Sequence, residues 1–299
     1  MQLFFSISRE AAERVSTEVS MSVKARKKKS VSQIILHIVI IVLEICLLFP
    51  LAMGIFIALK DQVAFRQYPW IPTLPLWFSN IKTAFGMMGS YMWNTFIVAL
   101  IAIPCMLFVS SISAFVFAKM KFPGKEIIYY GIIALMMVPG VLTLIPQYML
   151  YNDLGLLNTR WVLIIPIVFS GSVGGVFLLR AFFGGFSDSV FEAASIDGCS
   201  TLQSYYYVCL PLSKAIMGTL AIQQIVGIWN DVVWPTITIT NPKLWTISAG
   251  LYSQFVDTYA NNVPVQFAGF LLAALPLVLL FVFANKYYIE GLTSSGIKL

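Results

Sequence analysis

Apolar residues along this chain fall into six long blocks separated by short polar connectors. The blocks run from Ile34 to Leu59, Trp93 to Ala118, Ile127 to Tyr148, Trp161 to Phe182, Ala215 to Trp234 and Phe267 to Ala284. A bilayer core about 30 Å thick is crossed by roughly 20 helical residues rising about 1.5 Å each, and every block is near that length. Barrel strands would be about ten residues long with alternating polarity, a pattern not seen here. The blocks therefore predict an all-α integral membrane protein with six transmembrane helices. Pro139, Gly140 and Pro146 predict a kinked or broken third helix, since proline removes a ladder donor and crowds the preceding turn.

The charges give an orientation. Only 11% of the 299 residues are charged against 59% hydrophobic, where an ordinary soluble domain has about 25% charged. That balance excludes disorder, nucleic-acid binding and a disulfide scaffold. Placing the N-terminus inside puts Arg9, Arg14, Lys24, Arg26 to Lys29, Lys119, Lys121, Lys125, Arg180, Lys214, Lys286 and Lys298 on the cytoplasmic side. Only Lys60, Arg66, Lys82, Arg160 and Lys243 then remain outside, as the positive-inside rule asks. The reading is a multi-pass membrane protein with both termini cytoplasmic. It divides into a cytoplasmic extension at 1–30, a six-span body at 31–285 and a cytoplasmic tail at 286–299. The KARKKK run at 24–29 anchors this topology. The first twenty residues lack the basic start and long apolar stretch of a secretory signal. All seven tryptophans, Trp70, Trp77, Trp93, Trp161, Trp229, Trp234 and Trp245, fall outside or toward the outer ends of spans. An interfacial belt and a docking or sugar-stacking surface are both open for them.

Little in the chain suits catalysis or metal binding. His37 is the only histidine, and SGSVGG at 170–175 has Ser170 where a nucleophile elbow needs glycine. Gly171 and Gly175 read better as a small-xxx-small helix contact. No phosphate-cradling G-x-x-x-x-G-K-[ST] occurs. Cys46, Cys105, Cys199 and Cys209 have no framework spacing and read as free thiols. The chain is expected to be no enzyme, with no cofactor or metal of its own. Glu44, about ten residues into the first span, is an expensive group at that depth. It fits either a functional role or a carboxyl facing a partner subunit.

The connector at 186–214 has a pattern of its own. Ser189 and Glu192 have capping-box spacing, Gly198 suits a left-handed C′ stop, and Ser200 with Gln203 repeats the box. Two short helices and a turn follow, with Val190, Phe191 and Ala194 on one face of the first. Pro211 suits the first turn of the next span. On these grounds alone the segment is either an amphipathic connector lying on the bilayer or a docking elbow.

The string Glu192-Ala193-Ala194, then Gly198, Val208 and Leu210-Pro211, resembles the EAA loop of ATP-binding-cassette (ABC) importer permeases. PQYMLYNDLGLLNTRW at 146–161, WNDVVWP at 229–235 and KYYIEGLTSSGIK at 286–298 are similar to its carbohydrate branch, the second, maltose-transporter-type permease. Val208 stands where the family prefers Ile, and Cys199 where Ala is usual. The resemblance implies the type I permease fold with a second permease subunit, two ABC ATPase subunits that bind the ATP, and an extracytoplasmic solute-binding protein delivering a sugar or oligosaccharide. It also implies that Glu192, Ala193, Ala194, Asp197, Gly198, Leu210 and Pro211 couple to an ATPase.

For the solute, polar groups at membrane depth are few. Gln223, Gln224, Trp229 and Asn230 in the fifth block and Gln147 with Tyr148 in the third could contact sugar hydroxyls or stack on a pyranose. They could equally hydrogen-bond between helices. Asp231 reads as structural. An ion-coupled secondary carrier is the alternative function, with Glu44 its one strong candidate for a buried ion site.

Overall fold

The computed structural model describes the backbone of residues 31–296 and the side chains of residues 33–284. The expected extension at 1–30 and the side chains of the tail at 286–299 lie outside the described residues. Among the described residues every regular element is helical. The chain forms two compact units, Met1–Gly54 and Ile55–Leu299.

The helix α1 (Val31–Ala58) begins in the first unit and its last turn, from Ile55, belongs to the second; its residues 33–51 are exposed on every side. A helix apolar all round is at rest only in lipid or against other protein. Glu44 is part of this exposed surface.

The second unit holds α2 (Ser79–Lys119), α3 (Lys125–Ala134), α4 (Gly140–Asp153), α5 (Trp161–Gly184), α6 (Asp188–Ile196), α7 (Lys214–Asn230) and α8 (Val263–Gly296). Among the described residues four helices, α1, α2, α5 and the 263–284 part of α8, are long and apolar enough to cross a bilayer. Two bent pairs bring the number to six if each is one span. The first is residues 125–137 with α4, bent by 100°; the second is residues 201–212 with α7, bent by 73°.

The first bend falls where the prolines predicted it. Val138 is extended at ψ 116, Pro139 follows at ψ 126, and Gly140 starts the next helix. A residue before proline is driven out of the α region, so the helix stops there and restarts. Pro146 lies inside α4. Other span ends differ from the sequence reading. The second begins at Ser79, fourteen residues before Trp93, and its 41 residues exceed what the bilayer core needs. The fifth ends at Asn230, not Trp234. Asp231 is extended at ψ 114 and accepts the Trp234 N–H at 3.2 Å, opening a separate short helix at Val233–Thr238.

Packing centres on α2 against α5. Gly171 and Gly175 are where these helices touch: a Cβ at Gly171 would lie 3.2 Å from Met106 Cγ, and one at Gly175 would fall on the Ser110 hydroxyl and 2.7 Å from its Cβ. The small-xxx-small reading holds for this reason. At the Ser79 end of α2, Asn80 Nδ2 donates to the Ala58 and Lys60 carbonyls at 2.9 and 2.7 Å, and buried Lys60 donates to the Tyr68 and Pro69 carbonyls. Asn94, also buried, binds the Lys243 and Trp245 carbonyls and accepts from Arg160 at 2.8 Å. These amides fasten the connectors to the bundle without a single ion pair.

The tryptophans divide. Trp70, Trp77, Trp93 and Trp161 are exposed, as a belt requires. Trp229, Trp234 and Trp245 turn inward and donate their indole N–H groups to the Ala273, Val162 and Ile239 carbonyls at 2.8–2.9 Å. A belt does not describe these three, whose rings are held in the core. All four cysteines are free thiols.

Candidate functional site

Two places in the second unit gather the candidate residues, an elbow between α5 and α7 and a cavity beside the bend in the third span.

The elbow begins with α6, which is preceded by Ser187 in an extended conformation at φ −61, ψ 132. The capping box expected from Ser189 to Glu192 is not formed. Ser189 Oγ is hydrogen-bonded to Ser187 Oγ at 2.7 Å, the helix has already started at Asp188, and no side chain caps it. A tertiary contact sets this register instead. Lys119, in the last turn of α2, donates to Asp188 Oδ1 at 2.6 Å and to the Phe186 carbonyl at 2.8 Å. Its ammonium also lies 4.8 Å from the Phe191 ring centroid. Each charge sits at the helix end that its sign favours. The bond from Lys119, and then its charge, holds the Asp188 carboxyl below the usual carboxylate range.

Beneath this clasp Phe191 packs near Phe115 and Phe186, while Tyr205 shares a hydrogen bond of 2.7 Å with Ser111 and touches Phe115. Ala194 is buried on the same side. Val190, expected on that face, is exposed. Exposed on the other side are Glu192, Ala193, Asp197, Gly198 and Ile196, the last 86% exposed.

The end of α6 is a complete Schellman stop. Gly198 has φ +84, its N–H reaches the Ser195 carbonyl at 3.1 Å, and the Cys199 N–H reaches the Ala194 carbonyl at 2.9 Å. Ser200 and Gln203 then form the expected capping box in both directions, at 2.7 and 3.3 Å. Pro211 is not in the first turn of the fifth span. It lies in the short turn Leu210–Leu212, after a π-turn at Tyr205–Cys209 and before the 73° bend. A proline clashes with the carbonyl four residues back in a regular helix, and the wider π-turn, in which Leu210 N–H bonds Tyr205, relieves that crowding.

The cavity has a volume of about 380 Å³ and opens beside a larger cleft of about 850 Å³. Thr143, Gln147, Ser170, Gly171 and Gln224 line both. Asp231, Trp234 and Thr246 close the smaller one. Of the sequence candidates, Gln224 and Gln147 meet here. Gln223, Trp229, Asn230 and Tyr148 do not line either space. Trp229 is in the core, and Asn230 donates back to Val226 on its own helix at 2.9 Å. Asp231 both accepts the Trp234 N–H and lines the cavity.

Lys119, Asp188 and Thr246 were not singled out by the sequence. Lys119 and Asp188 are 69 residues apart, and nothing local links them. Thr246 is one more threonine in a connector, and only the fold brings it to a cavity wall.

Residues 106–289 match the family of binding-protein-dependent transport system inner membrane components. The chain belongs to that family. It is a permease subunit of a binding-protein-dependent importer, and an ion-driven secondary carrier is set aside. The permease is 28% identical over 278 residues to the probable ABC transporter permease protein YurM of Bacillus subtilis, covering 92% of each chain. It is 30% identical over 208 residues to the arabinooligosaccharides transport system permease protein AraQ of the same organism, covering 70% of this chain and 73% of that one. Its fold is similar to a chain in the crystal structure of a bacterial ABC transporter involved in the import of the acidic polysaccharide alginate. The TM-score there is 0.76 at 20% identity, covering 88% of this chain and 98% of that one. This likeness agrees with the all-helical permease architecture.

Proposed function

We propose that this permease pairs with a second permease subunit to form the pathway for a sugar or oligosaccharide, powered by two separate ABC ATPases that bind the ATP. An extracytoplasmic solute-binding protein delivers the solute, and both termini lie in the cytoplasm. The carbohydrate class is supported by relatives such as AraQ, whose name gives arabinooligosaccharides as its cargo.

The observation that carries the mechanism is the elbow. One face of α6 is fastened to α2 by Lys119 and the aromatic cluster, while Glu192, Ala193, Ile196, Asp197 and Gly198 are presented outward. A rigid handle with a free outer face suits a groove on an ATPase. When two ATPases close on nucleotide, α6 is drawn with them and pulls α2 and α7 through the clasp and the Leu210-Pro211 turn. Nucleotide then favours one arrangement of the spans because it binds that arrangement better, as any coupled two-state device requires. The test is Gly198→Val in the complex reconstituted with both permeases, ATPases and binding protein. Uptake of an arabinooligosaccharide per ATP hydrolysed should fall sharply. Undiminished uptake would argue against coupling through this elbow.

A further inference from the structure

The cavity beside Asp231 holds one polar group that the helix packing leaves unmatched. Thr246 is 2% exposed, lines the cavity, and its hydroxyl oxygen is buried without a hydrogen-bond partner. A buried polar group left unmatched is costly and uncommon in a native interior. The same lining carries a carboxylate, Asp231, which also accepts the Trp234 N–H, and two amides, Gln147 and Gln224. Apolar wall is supplied by residues such as Leu163 and Ile167. The volume falls in the range of small-molecule sites, and an apolar lining with a few convergent polar groups is how such sites are built.

The charge pattern is equally specific. The lining contains one carboxylate and no lysine, arginine or histidine. An anionic group entering would meet Asp231 in a weakly screened space with no cation to receive it, and like-charge contact there is unfavourable. A hydroxyl-rich, uncharged unit meets the opposite situation. Its hydroxyls donate to Asp231 and to the glutamine carbonyls, accept from the glutamine amides, and complete the open valence of Thr246.

We propose that this subunit itself carries a solute subsite, in which Asp231, Thr246, Gln147 and Gln224 take one neutral saccharide unit and turn away anionic sugars. The inference rests on the carbohydrate reading above and adds to it a location and a sign of charge.

The test is direct binding to the purified complex of permeases and ATPases in nanodiscs, without binding protein, by calorimetric titration. The probes are neutral arabinobiose and maltose against digalacturonate. At least one neutral disaccharide should bind and digalacturonate should not. Thr246→Val, which keeps the shape and removes the hydroxyl, should weaken neutral binding at least about tenfold, and Thr246→Ser should restore it. Asp231→Asn keeps an acceptor for the Trp234 N–H and should admit digalacturonate. Digalacturonate binding to the unaltered complex as tightly as the neutral sugars overturns the proposal. So does equal neutral binding by Thr246→Val, or the failure of both neutral sugars to bind. ATP-driven uptake in proteoliposomes separates the two levels. A complex that imports a neutral oligosaccharide while Thr246→Val binds normally retains the function and loses the subsite. A complex that imports no saccharide loses the carbohydrate reading itself.

Discussion

Substitutions at Gly198 isolate the elbow's geometry from its chemistry. The residue stands at φ +84 with nothing within 4 Å of where a Cβ would be, so a side chain there meets strain and no clash. A non-glycine residue in the left-handed region costs roughly 1–2 kcal/mol, and asparagine, which visits that region readily, costs less. A change of one or two kcal/mol alters a two-state population about 5–30-fold. The two closing bonds, from Gly198 and Cys199 to the Ser195 and Ala194 carbonyls, depend on this conformation. Loosening them lets α6 end elsewhere and frees its outer face from a fixed direction. The expected order of solute imported per ATP hydrolysed is glycine, then asparagine, then alanine, then valine, with alanine down about 5–30-fold if the closed elbow is the only productive one. The assay is paired uptake and phosphate release in proteoliposomes, with Gly184→Ala, also free of neighbours, as the control. Alanine and valine variants that retain the wild-type ratio would refute the reasoning.

Other consequences are more local. Gly175→Ala forces a Cβ onto Ser110 and should lower the stability of the folded subunit by about 1–3 kcal/mol, read as a fall in melting temperature. The Ser110→Gly, Gly175→Ala pair should recover most of it, and Gly174→Ala, with open space around it, should be neutral. Lys119→Met removes the bond to Asp188 and should raise hydrogen exchange over residues 188–196 at neutral pH. The Asp188 carboxyl titrates lower folded than unfolded, so this contribution is whole above the unfolded value and fades as pH falls through the folded one. The gap between wild type and variant should therefore narrow in strongly acidic solution to what the Phe186 bond and the Phe191 contact contribute, and an undiminished gap there would remove Asp188 from the account. Trp229→Phe loses the indole bond to Ala273 and should cost about 0.5–1.5 kcal/mol while leaving solute affinity unchanged in the same titrations.

What could be read in the chain beforehand follows from where the information lies. Gly198, Ser200 and Gln203 act within a few residues of themselves, so their stop and capping box were visible as spacing. The break at Pro139 was visible for the same reason. The helix start at Asp188 was not, because either Ser187 or Ser189 could precede a helix, and the bond from Lys119 to Asp188 comes from far away in sequence. Faces were harder still. A helix that is apolar all round shows no stripe, so nothing local says that Trp229 turns to the core while Gln224 turns to a cavity. Gly171 and Gly175 were an exception, since small residues at that spacing mark a close approach whatever surrounds them. Thr246 and Asp231 became notable only once the fold had set them on one wall.

The central claim is that the exposed face of α6 is held by an ATPase, and a photocrosslinking residue at Ile196, at the exposed tip of that helix, tests it most directly. Irradiation of the transport-competent complex should join this subunit to an ATPase subunit, in a yield that changes when nucleotide closes the ATPases. An importer that remains active yet crosslinks there only to lipid, with or without nucleotide, would contradict the account.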